Sequence, residues 1–246
     1  MRRVFRLLLA SLLTAMPIQA FAGIDEGLAA ARRNDFAAAL KEFRPLAEKG
    51  EADAQYYLGS LYLNGTGVKR DYGMAYRWIS KSAEQGYAPA QADMGLMYFN
   101  GEVVTKNDPE AVKWLTRSAK QGFANAQFLL GLAYLEGTGV AASEASAVKW
   151  FTAAAEQDHV PAQYNLGSIY LAGEKTPRNE AEAIKWYTRA AEKGFPPAQF
   201  QLGLAYEEGT GVDRNEAEAI KWITRAADGG YGPAQEKLVS EHQDDF

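Results

Sequence analysis

The 246-residue chain contains no cysteine and only two histidines, His159 and His242. The absence of cysteine excludes disulfide bonds, catalytic thiols, thiolate metal sites and a bacterial lipoprotein anchor. The two histidines are not spaced as a pair on one helix face, an arrangement that zinc and iron sites commonly use. We therefore expect no metal site and no cofactor.

Long hydrophobic runs are also lacking. The apolar run at residues 7–15 is well short of the ~20 residues that a membrane-spanning helix needs. It follows three arginines and precedes an Ala-Phe-Ala triplet at residues 20–22, whose small outer residues fit a signal-peptidase site. We expect residues 1–22 to be a cleaved signal peptide of the general secretion type. The mature protein is then expected to be periplasmic or secreted, with no transmembrane segment.

Positive charge is scarce. Removal of the three arginines of the signal peptide from a total of 26 basic residues leaves 23, against 31 acidic ones, so the mature chain has a net charge of about −8. Affinity for nucleic acid depends on Lys and Arg side chains that neutralise phosphates. Nucleic acid is therefore excluded as a partner.

The sequence does contain an internal repeat of 36 residues. Its five tryptophans are Trp78, Trp114, Trp150, Trp186 and Trp222. Ala-Gln pairs follow the same spacing and begin at Ala54, Ala90, Ala126, Ala162, Ala198 and Ala234. Glycines and tyrosines do so as well, at Gly59, Gly95, Gly131, Gly167 and Gly203 and at Tyr62, Tyr98, Tyr134, Tyr170 and Tyr206. Several residue types in one register predict an array of equivalent units.

Each unit is predicted to contain two helices. Apolar residues between positions 53 and 64 have helical spacing, and a glycine turn follows at residues 65–67. The second helix of each unit is predicted to begin at a residue with a capping side chain: Asp71, Asn107, Ser143, Asn179 and Asn215. Glutamates three residues later predict reciprocal capping boxes at residues 107–110, 179–182 and 215–218.

Second helices are predicted to end at glycines that can adopt a left-handed conformation: Gly86, Gly122, Gly194 and Gly230. Asp158 takes this place in the third unit, where we expect a strained turn. The tryptophans are interpreted as packing residues, because each lies between alanines of its own helix, as Trp114 does between Ala111 and Ala119. Five equivalent rings are not the pattern of one ligand site.

The segment AQYNLGSIYLAGEKTPRNEAEAIKWYTRAAEKG, residues 162–194, is similar to a Sel1-like repeat, a relative of the tetratricopeptide repeat. The similarity extends over all five units and includes the Leu-Gly-x-x-Tyr and Ala-x-x-Trp signatures. It implies an all-α fold, namely a right-handed α-solenoid of about five tandem 36-residue helix-turn-helix repeats with atypical capping helices. The first helices are then expected to line a concave surface.

The predicted domains follow this register. They are a signal peptide at residues 1–22, an N-terminal capping repeat at 23–52, five repeats within 53–232 (53–88, 89–124, 125–160, 161–196 and 197–232), and a C-terminal capping helix with an acidic tail at 233–246.

Catalytic motifs are weak. Ser146 and Lys149 match the Ser-x-x-Lys motif of penicillin-recognising serine enzymes. However, the basic residue recurs in every unit, and the companion motifs are missing. The Gly-x-Gly turns lack the preceding strand of a phosphate-binding loop. Some cysteine-rich members of the family have been described as β-lactamases, and this chain has none of their cysteines. We therefore expect no enzymatic activity.

Alignment with the tetratricopeptide signature implies that four rows of first-helix residues face the concave side. The predicted partner-binding residues lie in these rows: Tyr56, Leu63, Asn64, Phe99, Asn100, Phe128, Leu135, Glu136, Tyr164, Leu171, Phe200, Glu207 and Glu208. For the row that begins at Tyr56, both packing and binding are left open. Glu207 and Glu208 predict an acidic end to an otherwise apolar and aromatic surface.

The leading hypothesis is an exported scaffold or adaptor that binds a protein or peptide partner on the concave face. The resemblance implies roles in envelope assembly, host contact or regulation of a membrane sensor, without choosing among them. One alternative is a hydrolase acting on cell-wall or β-lactam substrates. The other is a module that binds glycan or peptidoglycan through its aromatic residues. The sequence does not predict the oligomeric state.

Overall fold

The computed structural model describes residues 23–244, with side chains described for residues 23–240. The predicted signal peptide and the end of the acidic tail lie outside these residues. Thirteen α-helices and no strand occur between residues 23 and 244: α1 (Ile24–Arg32), α2 (Phe36–Lys49), α3 (Ala52–Asn64), α4 (Tyr72–Glu84), α5 (Ala88–Asn100), α6 (Asp108–Lys120), α7 (Ala124–Glu136), α8 (Glu144–Ala155), α9 (Val160–Ala172), α10 (Glu180–Glu192), α11 (Pro196–Glu208), α12 (Glu216–Asp228) and α13 (Gly232–Asp244). The prediction of an all-α fold of tandem helix pairs is confirmed.

The chain divides into two compact units. Unit 1 comprises the residues up to Ala126 together with Thr138–Val140, and unit 2 comprises Gln127–Gly137 and the residues from Ala141 onward. The odd-numbered helices from α3 to α13 are the first helices of the repeats, and the even-numbered ones are the second helices. In unit 1, α1 to α6 pack consecutively in the pairs α1–α2, α2–α3, α3–α4, α4–α5 and α5–α6. In unit 2, α8 to α13 pack in the same consecutive manner.

The two helices of one repeat meet at a glycine. A Cβ added to Gly167 would lie 2.6 Å from the ring of Tyr187, which is closer than non-bonded carbon atoms approach in a packed interior. The same contact occurs in the other repeats, between Gly59 and Ile79, Gly95 and Leu115, Gly131 and Phe151, and Gly203 and Ile223. The glycine of the Leu-Gly-x-x-Tyr signature therefore sets the distance between the two helices.

The five predicted N-caps are confirmed. In each repeat, the capping side chain accepts a hydrogen bond from the backbone N–H three residues later. The reciprocal half of the predicted capping boxes is wrong, because the backbone N–H of the N-cap is already used. The N–H of Asn179 donates to the carbonyl of Tyr170 at 2.9 Å. Glu182 pairs instead with Lys185, with 3.0 Å between carboxylate and ammonium.

The repeated glutamine joins successive repeats. In unit 1, Nε2 of Gln91 donates to the carbonyl of Ala83 at 3.1 Å, at the end of α4. Its Oε1 accepts a hydrogen bond from Gln121 Nε2 at 2.8 Å. In unit 2, Gln163 makes the corresponding bond to a carbonyl at 3.1 Å. Position 193, however, is lysine instead of glutamine, and the buried Oε1 of Gln163 has no partner among the described side chains.

The turn after α8 departs from the others, as predicted. Asp158 adopts a left-handed conformation with φ of 60°, where the equivalent positions carry glycine. Left-handed φ is unfavourable for a residue with a side chain, although Asp tolerates it better than most. Its exposed carboxylate lies 3.1 Å from the ammonium of Lys193 and 3.9 Å from the guanidinium of Arg189. These ion pairs connect the turn to α10.

The tryptophans lie in the second helices, with basic side chains over their rings. Trp114, Trp186 and Trp222 are buried, with 9%, 6% and 7% of their surface exposed. Trp78 and Trp150 are only half-buried. The packing interpretation thus fits three rings fully and two in part. Each ring has a Lys or Arg over it at 4.6–5.6 Å from the ring centroid, which is within the range of cation–π attraction.

Candidate partner-binding surface

The aromatic row that begins at Tyr56 is largely a packing element. Tyr56 and Phe128 are buried, with 6% and 4% of their surface exposed. In unit 1, the Tyr56 ring lies 5.3 Å from the ring of Tyr87. In unit 2, the Phe128 ring lies 4.6 Å from the ring of His159. We therefore leave Tyr56 and Phe128 out of the proposed binding surface, because a partner cannot reach them in this structure.

Tyr164 and Phe200 belong to the same row and are half-buried. Their rings lie 5.4 Å from those of Phe195 and Tyr231, respectively. Part of each ring is accessible, so a role of these two residues in binding stays a prediction. The sequence analysis missed the row that they contact. Its signal was present, since an aromatic residue or histidine recurs directly after the turn between repeats: Tyr87, Phe123, His159, Phe195 and Tyr231.

The C-terminal ends of the first helices carry the remaining predicted residues. A glycine with positive φ ends α3, α5, α9 and α11, so the chain turns away and the last side chains of the helix stay at the surface. We call these side chains the first-helix surface. It consists of Leu63, Asn64, Phe99 and Asn100 in unit 1 and of Leu135, Glu136, Leu171, Glu207 and Glu208 in unit 2. All are exposed or half-exposed.

Leu135 is the most exposed apolar member of this surface, with 37% of its surface accessible. Leu171 is half-buried and packs against the core cluster that contains Leu202 and Ala205. Exposed leucines are common on protein surfaces. Leu135 lies directly beside the charged Glu136, and an apolar side chain with polar neighbours is the arrangement found in protein interfaces.

The predicted acidic end is smaller than the sequence implied. Glu207 is engaged by Lys237 of α13, with 2.9 Å between carboxylate and ammonium. This pairing was not foreseen because the two residues are 30 positions apart. Glu208 accepts a hydrogen bond from the hydroxyl of Thr210 at 3.3 Å. Of these two glutamates, only Glu208 has no Lys or Arg paired with its carboxylate among the described residues.

Charge differs between the two units. Residues 23–126 contain 13 basic and 13 acidic residues, whereas residues 127–246 contain 10 basic and 18 acidic ones. The net charge of unit 1 from residue 23 onward is therefore zero, and that of unit 2 is about −8. The excess negative charge of residues 23–246 therefore belongs to unit 2.

Two buried titratable groups lie near the aromatic row. In unit 1, Asp93 is 4% exposed, and its Oδ2 has no partner among the described side chains. Burial raises the pKa of Asp93 to about 7, and a hydrogen bond with Tyr56 opposes that shift. In unit 2, the Nδ1 of His159 accepts a hydrogen bond from the N–H of Ala162 at the start of α9. Burial lowers the pKa of His159 to about 4.

The Ser-x-x-Lys motif is not arranged as a nucleophile and a base. The hydroxyl of Ser143 donates to that of Ser146 at 2.9 Å. The ammonium of Lys149 lies 5.5 Å from the centroid of the Trp150 ring. No group of three His, Asp or Glu side chains that could hold a metal ion is found in the part of the chain that the structure describes.

None of the helices between residues 23 and 244 is long and apolar enough to cross a membrane.

The sequence model of the Sel1 repeat matches the chain five times, at residues 52–87, 88–123, 124–159, 160–195 and 196–231. No curated protein matches it. Among solved structures, a Sel1 repeat protein from Oxalobacter formigenes is 30% identical, with a TM-score of 0.81 over 89% of this chain and 87% of that one.

Two further structures are similar. The protective antigen c5321 of uropathogenic Escherichia coli, which displays an SLR fold, is 39% identical over 82% of this chain, with a TM-score of 0.79. This chain spans only 43% of the antigen's length. The immunity protein Pa5087 from Pseudomonas aeruginosa is 22% identical, with a TM-score of 0.54 over 91% of this chain and 86% of that one. At that identity the likeness shows the fold alone.

Proposed function

The chain belongs to the Sel1 repeat family, and from that premise we propose that it is an exported scaffold that binds a protein or peptide partner on its first-helix surface. Sel1 repeats commonly mediate protein–protein interaction. The helices of the array are held by glycine contacts and by the glutamine and N-cap hydrogen bonds. Within each unit these contacts hold the helices in place and leave the variable residues at the helix ends available for recognition.

The single observation that carries the proposal is the exposure of Leu135 in unit 2, where Leu171 occupies the equivalent position of the next repeat. Leu135 provides an apolar anchor next to the charged Glu136, as in interfaces where an apolar centre has a polar rim. Export is supported by the apolar run and the Ala-Phe-Ala triplet of residues 1–22.

The proposal is tested by placing a photo-crosslinking amino acid at position 135 in the native host. Position 220 is the matched control, because Ile220 is also an exposed aliphatic residue, 52% accessible, but lies on a second helix. We expect a discrete crosslinked protein from position 135 only. That protein, purified, is expected to lose affinity for the Leu135→Ser variant and to keep it for Ile220→Ser. Equal affinity for both variants would refute the proposed surface.

Export has its own test. N-terminal sequencing of the protein recovered outside the cytoplasm is expected to begin at Gly23, directly after the Ala-Phe-Ala triplet. Recovery of the chain only in the cytoplasm, with its first 22 residues intact, would contradict the predicted signal peptide.

A further inference from the structure

The last residue of a first helix differs between the two units. In unit 1, α3 and α5 end in Asn64 and Asn100. In unit 2, α7 and α11 end in Glu136 and Glu208, and α9 between them ends in Ala172. The C-terminal end of a helix carries partial negative charge, so a carboxylate there is unfavourable, whereas an asparagine has no such penalty. The two glutamates therefore lie where local electrostatics opposes them.

Some glutamates of unit 2 are paired with a neighbouring cation, whereas others, among them Glu156 and Glu192, have no such pair among the described side chains. Glu207 pairs with Lys237 at 2.9 Å, and Glu218 pairs with Lys221 at 2.9 Å. Neither Glu136 nor Glu208 has a Lys or Arg within 4.0 Å among the side chains of residues 23–240. Neither carboxylate therefore has a cationic partner or a favourable helix position.

The surroundings of these glutamates select one class of partner. Leu135 precedes Glu136 in the chain and is 37% exposed, and Leu171 occupies the same row in the next repeat. The net charge of about −8 in unit 2 repels polyanions such as nucleic acid or anionic lipid surfaces and attracts cationic segments. An apolar anchor beside an unneutralised carboxylate is complementary to a segment in which Lys or Arg lies next to a large apolar residue.

We propose that the first-helix surface of unit 2 recognises a basic segment of the protein partner. Lysine or arginine side chains of that segment pair with Glu136 and Glu208, and an apolar side chain lies on Leu135 and Leu171. This inference rests on the proposed function and specifies the chemistry of the partner. Because the pairs are solvent-exposed, their contribution falls as ionic strength rises.

The chain itself suggests the variants for the test. Glu136→Asn with Glu208→Asn introduces the residue that α3 and α5 already carry at that place. Glu156→Gln with Glu192→Gln is the matched control, since both residues are exposed acids at the C-terminal ends of second helices. Leu135→Ser with Leu171→Ser removes the apolar anchors. Two labelled peptides serve as probes: one is composed of leucine, lysine and serine, and in the other glutamate replaces every lysine. Their binding is measured by fluorescence anisotropy at low and physiological salt.

The wild-type protein is expected to bind the lysine peptide and not the glutamate peptide. The Asn pair should weaken binding about 2- to 30-fold, the range that two exposed ion pairs provide, whereas the Gln pair should leave it unchanged. Equal effects of the Asn and Gln pairs would show non-specific attraction and overturn the inference. If the Asn pair has no effect while the Ser pair abolishes binding, the basic segment is refuted and the proposed function stands. If neither the Asn pair nor the Ser pair changes binding, the basic segment and the proposed function are both refuted.

Discussion

Asp93 provides the sharpest test of how this structure balances charge and burial. Its carboxyl group is 4% exposed, one oxygen has no partner among the described side chains, and no cation compensates it. Burial raises its pKa to about 7 from the usual 3.8, against the opposing effect of the Tyr56 hydrogen bond. At about 1.4 kcal/mol per pKa unit, the difference corresponds to roughly 4 kcal/mol of unfolding free energy.

The sign follows from the raised pKa. Below pH 3.8 both the folded and the unfolded chain hold the proton, so Asp93 imposes no penalty. As the pH rises toward about 7, the unfolded chain releases its proton while the folded chain keeps it, and stability falls. Above about pH 7 the loss is complete and constant. Between pH 5 and pH 8 we predict that Asp93 alone lowers the free energy of unfolding by roughly 3 kcal/mol.

Asp93→Asn removes this titration and still offers Tyr56 an amide oxygen as acceptor. Urea unfolding, followed by tryptophan fluorescence, is measured for the wild type and the variant at several values between pH 5 and pH 8. The difference between the two proteins isolates Asp93 from all other titrating groups. We expect the variant to gain stability relative to the wild type as the pH rises. A difference that stays constant with pH would refute the argument that a proton is retained by burial.

Three further predictions concern single positions. Burial lowers the pKa of His159 to about 4. The contribution of His159 to stability is therefore present above pH 6.5 and is lost as the pH falls from 6.5 through 4. His159→Phe should remove this pH dependence, as measured by urea unfolding across the same range. Lys193→Gln gives the buried Oε1 of Gln163 the hydrogen-bond donor that it lacks. The variant should raise the unfolding free energy by about 0.5–1.5 kcal/mol, reduced by the small loss of the exposed ion pair with Asp158. An unchanged or lower urea midpoint would contradict this expectation. Gly203→Ala places a Cβ 2.6 Å from Cγ1 of Ile223 and should destabilise by about 1–3 kcal/mol; an unchanged midpoint of thermal unfolding by circular dichroism would show that the helices can separate freely.

The repeat architecture could be predicted from the sequence because its determinants are local or strictly periodic. N-cap side chains act three residues ahead within one turn of helix, so Asn179 and its equivalents were identified correctly. The strained turn was predicted because Asp158 interrupts a row of glycines, and only glycine adopts positive φ without penalty.

The exposure and ion pairing of the predicted binding residues were harder to predict, because they depend on contacts between repeats. The carboxylate of Glu207 is neutralised by Lys237, and the Tyr56 ring is covered by Tyr87, in each case across about one repeat length. Periodicity assigns a residue to a helix face, but it does not tell which side chain of the next repeat covers it. The capping boxes failed for a similar reason, since the N–H of Asn179 is taken by a carbonyl of the preceding helix.

Repetition makes each position a comparison of side chains on nearly the same backbone. Where the repeats agree, as at the glycine that contacts Tyr187, an added Cβ would force the facing side chain or its helix to shift. Where they differ, the backbone tolerates either residue, so the difference needs another cause. Leu129 shows that an apolar residue fits the place where Asp93 is buried. Asn64 shows likewise that a neutral residue can end a first helix, where Glu136 places a charge. In both cases a charge occupies a site that disfavours it, and folding alone does not require it. The carboxylate of Glu136 is accessible to a partner, so a role in binding is the simplest reason for its charge. The carboxylate of Asp93 is buried, so this reason does not apply to it.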